Sequence, residues 1–198
     1  MRDVTVKNHF GSSCILHLSH TDITKDARIC RQLISLTKNI TLQPNNLLAV
    51  GVRSDYGGLE PSNIEGVKSE LFELWSTSLK GIFRPLWGLC FFFELNARVI
   101  SKIFRFKIKV IHCHDWVLLP SAVVLKLKNK CNLIYDAHEL ESQKNGQGRL
   151  EGYLVRLIEK LVWREIDFLI SVSNSIVEWY NKNNGLKDSE TIFNAPMV

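Results

Sequence analysis

The chain reads as an α/β domain: Rossmann-like, with a mostly parallel sheet and helices on both faces. Three observations predict this. Short apolar runs alternate with helical-period segments along nearly its whole length. The runs are continuous rather than alternating, as parallel strands buried on both faces require. Two of them, at 110–115 and 133–139, end abruptly in histidine and acid. In open α/β sheets, polar groups at strand C-termini face the crevice where ligands bind.

Each element has its own signal. Residues 14–20 read as a first buried strand, and the polar stretch from Thr21 to Lys25 suits a helix cap. From Ala27, the residues Ile29, Leu33, Leu36 and Ile40 recur at helical spacing. A second strand is expected at 46–52. Gly57, Gly58 and Pro61 mark a loop at 54–66. A weaker strand follows at 67–75, then a long amphipathic helix at 86–105. On that helix Leu89, Phe92, Phe93, Val99, Ile100, Ile103 and Phe104 share one side. Arg98, Lys102 and Arg105 cluster on the other, with Trp87 and Phe91 ahead of them.

The next strand is 109–114. Pro120 suits the first turn of a helix that runs to about Lys128 and packs on the sheet. A strand at 131–137 leads into a polar, glycine-bearing stretch, 141–149, expected as a mobile loop. Leu150, Leu154, Leu157, Leu161 and Val162 mark a strong helix. After a strand at 167–173, Ser173 or Asn174 caps a helix carrying Ile176, Val177 and Tyr180. A short strand at 191–193 comes last.

The chain has 198 residues, 45% hydrophobic and 23% charged. That is enough for one well-buried domain and marginal for two, so 1–198 is expected as a single domain. Cys14, Cys30, Cys90, Cys113 and Cys131 are scattered and form no C-x-x-C pair, as expected of buried free thiols in a reducing compartment. The first nine residues hold no apolar core, so no secretory signal is expected. No apolar run approaches the roughly 20 residues that span a bilayer. Of the net charge of +5, the segment 80–109 carries seven cations against Glu94 alone. The basicity is local and points to an anionic surface. A solvated basic face is one reading of that helix. Aromatics beside cations give the other, a membrane-surface helix with Trp87, Phe91, Arg98, Lys102 and Arg105 facing lipid. No base-stacking or groove-reading motif supports nucleic acid as a partner.

The two strand endings suggest one crevice lined by His114, Asp115, His138 and Glu139. His112 and His114 share a strand face, so both imidazoles reach toward one ion. Asp115 follows at once, however, and no further ligand run exists, so no metal site is expected. His112 is expected as a hydrogen-bonded core histidine, and His114, at the strand end, as a ligand contact projecting into the groove. Asp136 or Glu139 either braces the next loop or sets the tautomer of His138. The turn from Thr21 to Arg28 stands where α/β sheets often receive phosphate at a helix N-terminus. No G-x-G-x-x-G, P-loop or G-x-S-x-G string occurs, which argues against a dinucleotide dehydrogenase, a P-loop enzyme and an α/β-hydrolase.

Four pieces together resemble the N-terminal half of family-four glycosyltransferases of the GT-B architecture. They are 19–22 with 26–28, then 110–115, then 134–140, and finally 170–173 with 192–196. The resemblance runs from about residue 14 to 196. It implies a Rossmann-like acceptor-side domain of a group 1 type enzyme. Such enzymes transfer a sugar from a nucleotide-sugar donor to a saccharide or polyprenyl-linked acceptor in cell-surface polysaccharide synthesis. Transfer is expected to be retaining and metal-independent, with no cofactor. The family's strand-end histidine falls on His114, the catalytic candidate. Its donor or acceptor contacts fall on His20, Thr21, Asp22, Arg28, Asp115, His138, Glu139 and Asn194. Many relatives carry paired glycines in the first turn, where this chain has Asp22, Ile23 and Thr24. The chain stops where such enzymes continue into a donor-binding domain, so this half is expected to be inactive alone. A cytoplasmic protein, peripheral on the inner face of the plasma membrane, is the expected setting. Two other readings are a stand-alone Rossmann-like binding or regulatory module and a metal-dependent hydrolase using His112, His114 and His138.

Overall fold

The computed structural model describes residues 13–38, 46–53, 67–79, 84–143 and 148–193, with backbone alone at 84–86 and 149–150. The expected loop at 54–66 and the candidate Asn194 lie outside the described residues. The strands are β1 (Cys14–Leu18), β2 (Leu47–Val52), β3 (Val67–Phe72), β4 (Ile108–Cys113), β5 (Asn132–Ala137), β6 (Phe168–Ser171) and β7 (Ser189–Thr191). The helices are α1 (Ala27–Thr37), α2 (Arg84–Ile103), α3 (Leu119–Asn129), α4 (Arg149–Val162) and α5 (Asn174–Asn184). All strand pairs are parallel, in the order β3-β2-β1-β4-β5-β6-β7.

This is the predicted α/β Rossmann-like sheet, and alternation along each strand explains its two faces. On β1, Cys14, Leu16 and Leu18 join the large core that contains Leu95 and Val99 of α2, Ala122 and Leu125 of α3, and Tyr180 of α5. Ile15 points the other way, into a smaller core with Ile29 and Leu33 of α1, Leu47, Ala49 and Val67. Thus α1 covers one face and α2, α3 and α5 the other, as right-handed crossovers require when the chain turns back after β3 and sets β4 on the other side of β1. The reversal puts a switch point between β1 and β4, where ligand crevices form.

Local chemistry sets the helix ends. The Asp26 carboxylate accepts from the N–H groups of Arg28 (3.0 Å) and Ile29 (3.2 Å), capping α1. Pro120 sits in the first turn of α3, and Lys130 in the left-handed region (φ 52°) ends that helix. Ser173 Oγ accepts from Ile176 N–H and starts α5. A Cβ at Gly51 would stand 2.5 Å from Thr21 O and 2.9 Å from Ile23 Cγ2. Only a glycine there lets the β1–α1 turn lie down on β2.

Two expectations change. The predicted mobile loop begins as a 3₁₀ turn, Glu141–Gln143, with Glu141 buried. The apolar spacing in α4 marks a helix correctly, but its stripe faces outward: Leu157 is 40% and Leu161 72% exposed. α4 turns Val155 and Glu159 inward instead, because the hydroxyls of Tyr135 and Tyr180 hold Glu159 at 2.8 and 2.6 Å.

Candidate functional site

Parallel register sets His17 of β1 beside His112 of β4, and Asp136 comes from the next strand, β5. From α1, Arg28 and Gln32, about one turn apart, reach down to the same carboxylate. Arg28 Nη2 lies 2.6 Å from Asp136 Oδ1, and Gln32 Nε2 donates to Oδ2 at 2.9 Å. His112 Nε2 stands 3.3 Å from Oδ2, His114 Nδ1 3.5 Å from Oδ2, and His138 Nδ1 3.7 Å from Oδ1. His17 Nδ1 and His114 Nε2 lie 3.1 Å apart and form a hydrogen bond. The rings of His112 and His114 stack at 4.3 Å, those of His114 and His138 at 5.9 Å. One buried aspartate therefore gathers three imidazoles, a guanidinium and an amide, and a fourth imidazole, His17, joins them through His114.

The charges follow from this packing. Burial opposes ionisation of Asp136, but hydrogen bonding by the His112 and His114 side chains outweighs it. Its carboxyl therefore sits well below the usual carboxylate range. Burial, then the proximity of His112, pushes His114 down to about 4. Burial, then His112 and His114, drives His17 well below its ordinary value. His17 and His114 are neutral at pH 7, and Arg28 balances Asp136. His17 Nε2 has no hydrogen-bond partner among the described residues. Leaving such a buried group unmatched costs about 1–3 kcal/mol.

A second carboxylate ties the crevice edge together. Asp115 Oδ2 accepts from Ser19 Oγ and from His20 N–H, both at 2.8 Å, and Oδ1 lies 2.8 Å from His20 Nδ1. Burial works against its charge, but His20 and Ser19 hold it far below the ordinary value. Ser19 Oγ also meets Thr21 Oγ1 at 2.8 Å. Asp22, expected as a ligand contact, is buried, and its Oδ1 accepts from Thr24 N–H (3.1 Å) and Thr24 Oγ1 (2.6 Å). These bonds build the turn.

The expectation for His114 is corrected. It does not project into a groove: it is 1% exposed. Its N–H donates to Leu18 O at 2.9 Å, extending the β1–β4 ladder one residue past the strand. His112 is buried and hydrogen-bonded to Asp136, as expected of a core histidine, and it also lines an open groove of about 440 Å³ with Arg28, Arg31, Gln32, Ile170 and Phe193. His20 and His138 keep part of their rings accessible, and Glu139 is exposed. Sequence reasoning missed His17, Ser19 and Gln32. A histidine inside an apolar strand was the available signal, since an imidazole buried there needs a polar partner.

The expected lipid-facing residues of α2 are placed differently from one another. Trp87 and Phe91 are half-buried, and Phe91 packs against the large core. Arg98 pairs with Glu94 at 2.8 Å and Lys102 with Glu70 at 3.4 Å. The Arg105 guanidinium lies 5.6 Å from the Phe106 ring centre. The large apolar side chains that this helix exposes are Leu89 and Phe93.

Among the described residues, two sets of side chains have ligand atoms within 4.8 Å of one another: His17, His112 and His114, and His114, Asp136 and His138. Either has donors suited to a divalent transition metal. A hydrolytic metal needs an open coordination position. His17 and His114 are sealed from solvent, which weighs against the hydrolase reading.

A parallel seven-stranded sheet with a polar crevice at its switch point defines the class: a Rossmann-like domain of the GT-B type. The profile of Glycosyltransferase Family 4 matches residues 64–195, and the chain belongs to that family. Among solved structures, sucrose-phosphate synthase from Thermosynechococcus elongatus is similar at 14% identity with a TM-score of 0.65, covering 92% of this chain and 48% of that one. HepE of Anabaena, solved with UDP and glucose, is similar at 14% identity with a TM-score of 0.56, covering 93% of this chain and 45% of that one. It is also solved with UDP-glucose, where the TM-score is 0.55. The chain thus spans about half the length of these structures. No curated protein matches it significantly.

Proposed function

We propose that these residues form the acceptor-side wall of a glycosyltransferase that moves a sugar from a nucleotide-sugar donor to a saccharide or lipid-linked acceptor. Family membership over 64–195 is the observation that carries this reading. HepE, with which the sheet is shared, is solved with UDP-glucose, which supports a nucleotide sugar as donor. In the reaction an acceptor hydroxyl bonds to the anomeric carbon as the bond to the departing nucleoside diphosphate breaks, and the hydroxyl proton goes to that diphosphate. The protein's part is positioning and stabilisation of charge on that diphosphate. Arg28 and Arg31, beside the crevice, supply positive field for it. His20 and His138, whose rings keep accessible edges, take over from His114 as the imidazoles that reach a bound sugar. His114 acts through its neighbours.

The finer reading is retaining, metal-independent transfer in cell-surface glycan synthesis on the cytoplasmic side, and it comes from the family resemblance. The reading also holds that transfer needs a second wall opposite these strands, because the chain covers 48% and 45% of the similar enzymes. The test is a transfer assay over a panel of nucleotide sugars, UDP-glucose among them, with NMR of the product's anomeric carbon. The 198 residues alone should bind a donor weakly and turn over little. Robust turnover by them refutes the need for a second wall, and no donor binding across the panel counts against the glycosyltransferase reading.

A further inference from the structure

α4 packs on the domain with one side and carries its leucines on the other. Val155 and Glu159 face inward and are fully buried, and Val162 packs against the large core. Tyr153, Leu154, Leu157 and Leu161 face outward, Leu161 at 72% exposure. The adjoining α3 exposes Leu127 at 60%. Single exposed leucines are ordinary, but a run of them along one helix marks an interaction surface.

The leucine spacing identifies the occupant. Leu150, Leu154, Leu157 and Leu161 stand four, three and four residues apart. That is the a/d seam of a coiled coil, narrower than the stripe a helix buries in its own domain. It reads the same from either end, centred between Val155 and Arg156. A surface that meets its own copy about a twofold axis must complement itself in this way. With two α4 helices antiparallel, Leu154 of each copy meets Leu157 of the other. Tyr153 then stands beside Lys160 of the other copy, an aromatic ring beside a cation, and both are exposed in the single chain. The two Lys160 residues lie toward opposite ends of the contact, about 13 Å apart along it at a rise of 1.5 Å per residue, so like charges are not forced together. Arg156 is held aside by α5: its Nη2 donates to Asn183 Oδ1 at 3.0 Å, and its guanidinium lies 5.5 Å from the Trp179 ring centre.

We propose that the outer side of α4 is a homodimer interface, in which two copies of this chain join through antiparallel α4 helices. A stable interface takes about 800 Å² from each partner, so the contact spreads past the seam to Tyr153 and to Leu127 of α3. α4 is already fixed on the sheet, with Glu159 held by Tyr135 and Tyr180. Pairing therefore costs no helix formation, and a seam this short joins two domains where free peptides of its length would not fold. Helices joining parallel strands run antiparallel to them, so the N-terminus of α4 lies at the crevice edge of the sheet. Antiparallel pairing points the two crevices in opposite directions and leaves both open. The dimer stands apart from the transfer reaction and is tested without it.

The experiment is sedimentation equilibrium of the purified chain across the micromolar range, where the parent should reach twice its monomer mass. Leu157→Glu/Leu161→Glu sets four carboxylates into the seam of the dimer and should weaken association by about a hundredfold or more. Lys160→Ala should weaken it about tenfold, because each dimer loses two ring–cation contacts. Leu186→Glu, 88% exposed and off the seam, should dimerise like the parent. Circular dichroism confirms that each variant is folded. A parent that stays monomeric across the range overturns the proposal, and so does a dimer that the folded double variant leaves intact. Unchanged association in Lys160→Ala overturns the antiparallel register. A monomer that floats with phosphatidylcholine–phosphatidylglycerol vesicles through these same leucines gives the face to lipid and overturns the proposal equally.

Discussion

Adjacent residues of β5 lead to two buried carboxylates that the fold treats in opposite ways. Tyr135 points to the α2–α5 face, where its hydroxyl and that of Tyr180 both donate to Glu159 Oε1. Trp163 stacks on Tyr180 at 5.6 Å and closes that side. Asp136 points to the α1 face, where its neighbours are imidazoles, one arginine and an amide, and an open groove begins at His112. The first carboxylate is clamped by groups that do not titrate near neutral pH, since burial and nearby Glu159 raise both tyrosines well above their ordinary values. The second sits among groups whose charge responds to pH. One face is built to hold the sheet, and the other keeps polar groups next to a crevice.

Breaking the Asp136 side should have the largest effect. Asp136→Ala leaves the Arg28 guanidinium and the imidazoles without their shared acceptor, and loss of one partner of a buried pair costs about 3–5 kcal/mol. The urea midpoint should fall with little change in slope. A midpoint equal to the parent's refutes a central role for this carboxylate.

Acid should act on the same face before it reaches the other. His114 is lowered to about 4 and His17 lies well below 6.5, so the unfolded chain binds protons that the folded one does not. Stability is therefore highest above about pH 6.5 and is lost as pH falls toward 4. For His114 alone the full shift is of order 3 kcal/mol. Asp115 and Asp136 add losses only below the ordinary carboxylate range. Thermal melts between pH 8 and pH 4 should decline from near pH 6.5, and His17→Gln should flatten the decline. A flat profile down to pH 4.5 contradicts this.

On the clamped face, Tyr180→Phe removes one donor to Glu159 at a cost of about 1–3 kcal/mol, with no change in the pH profile above pH 5. A change in that profile would show that the two faces are coupled. Gly51→Ala forces the first turn off β2 and should cost about 1–3 kcal/mol by strain. The smallest effect is expected from Arg98→Ser, whose ion pair with Glu94 is partly exposed and contributes about 1 kcal/mol or less to stability. Chemical denaturation checks all three.

Much of the sheet was legible because parallel strands announce themselves as apolar runs. β1, β2, β4 and β5 fall within the stretches expected, to within a residue or two. The caps at Asp26 and Ser173 and the proline at α3 act locally, and a local signal survives without tertiary information. The outward stripe of α4 did not follow, because spacing shows that a helix has an apolar side but not which way that side faces. His114 was misplaced for a similar reason. Whether a strand's last residue remains in the ladder depends on a carbonyl of a neighbouring strand, here Leu18 O, about a hundred residues away in the chain.

Periodicity, caps and strand endings were enough to specify a Rossmann-like sheet with histidines and acids at its C-terminal edge, since each rests on contacts within one segment. The assembly around Asp136 needed the fold. It gathers His17 from β1, Arg28 and Gln32 from α1, His112 from β4 and His138 from beyond β5. Sequence distance hides these partners, and only strand order and register bring them together.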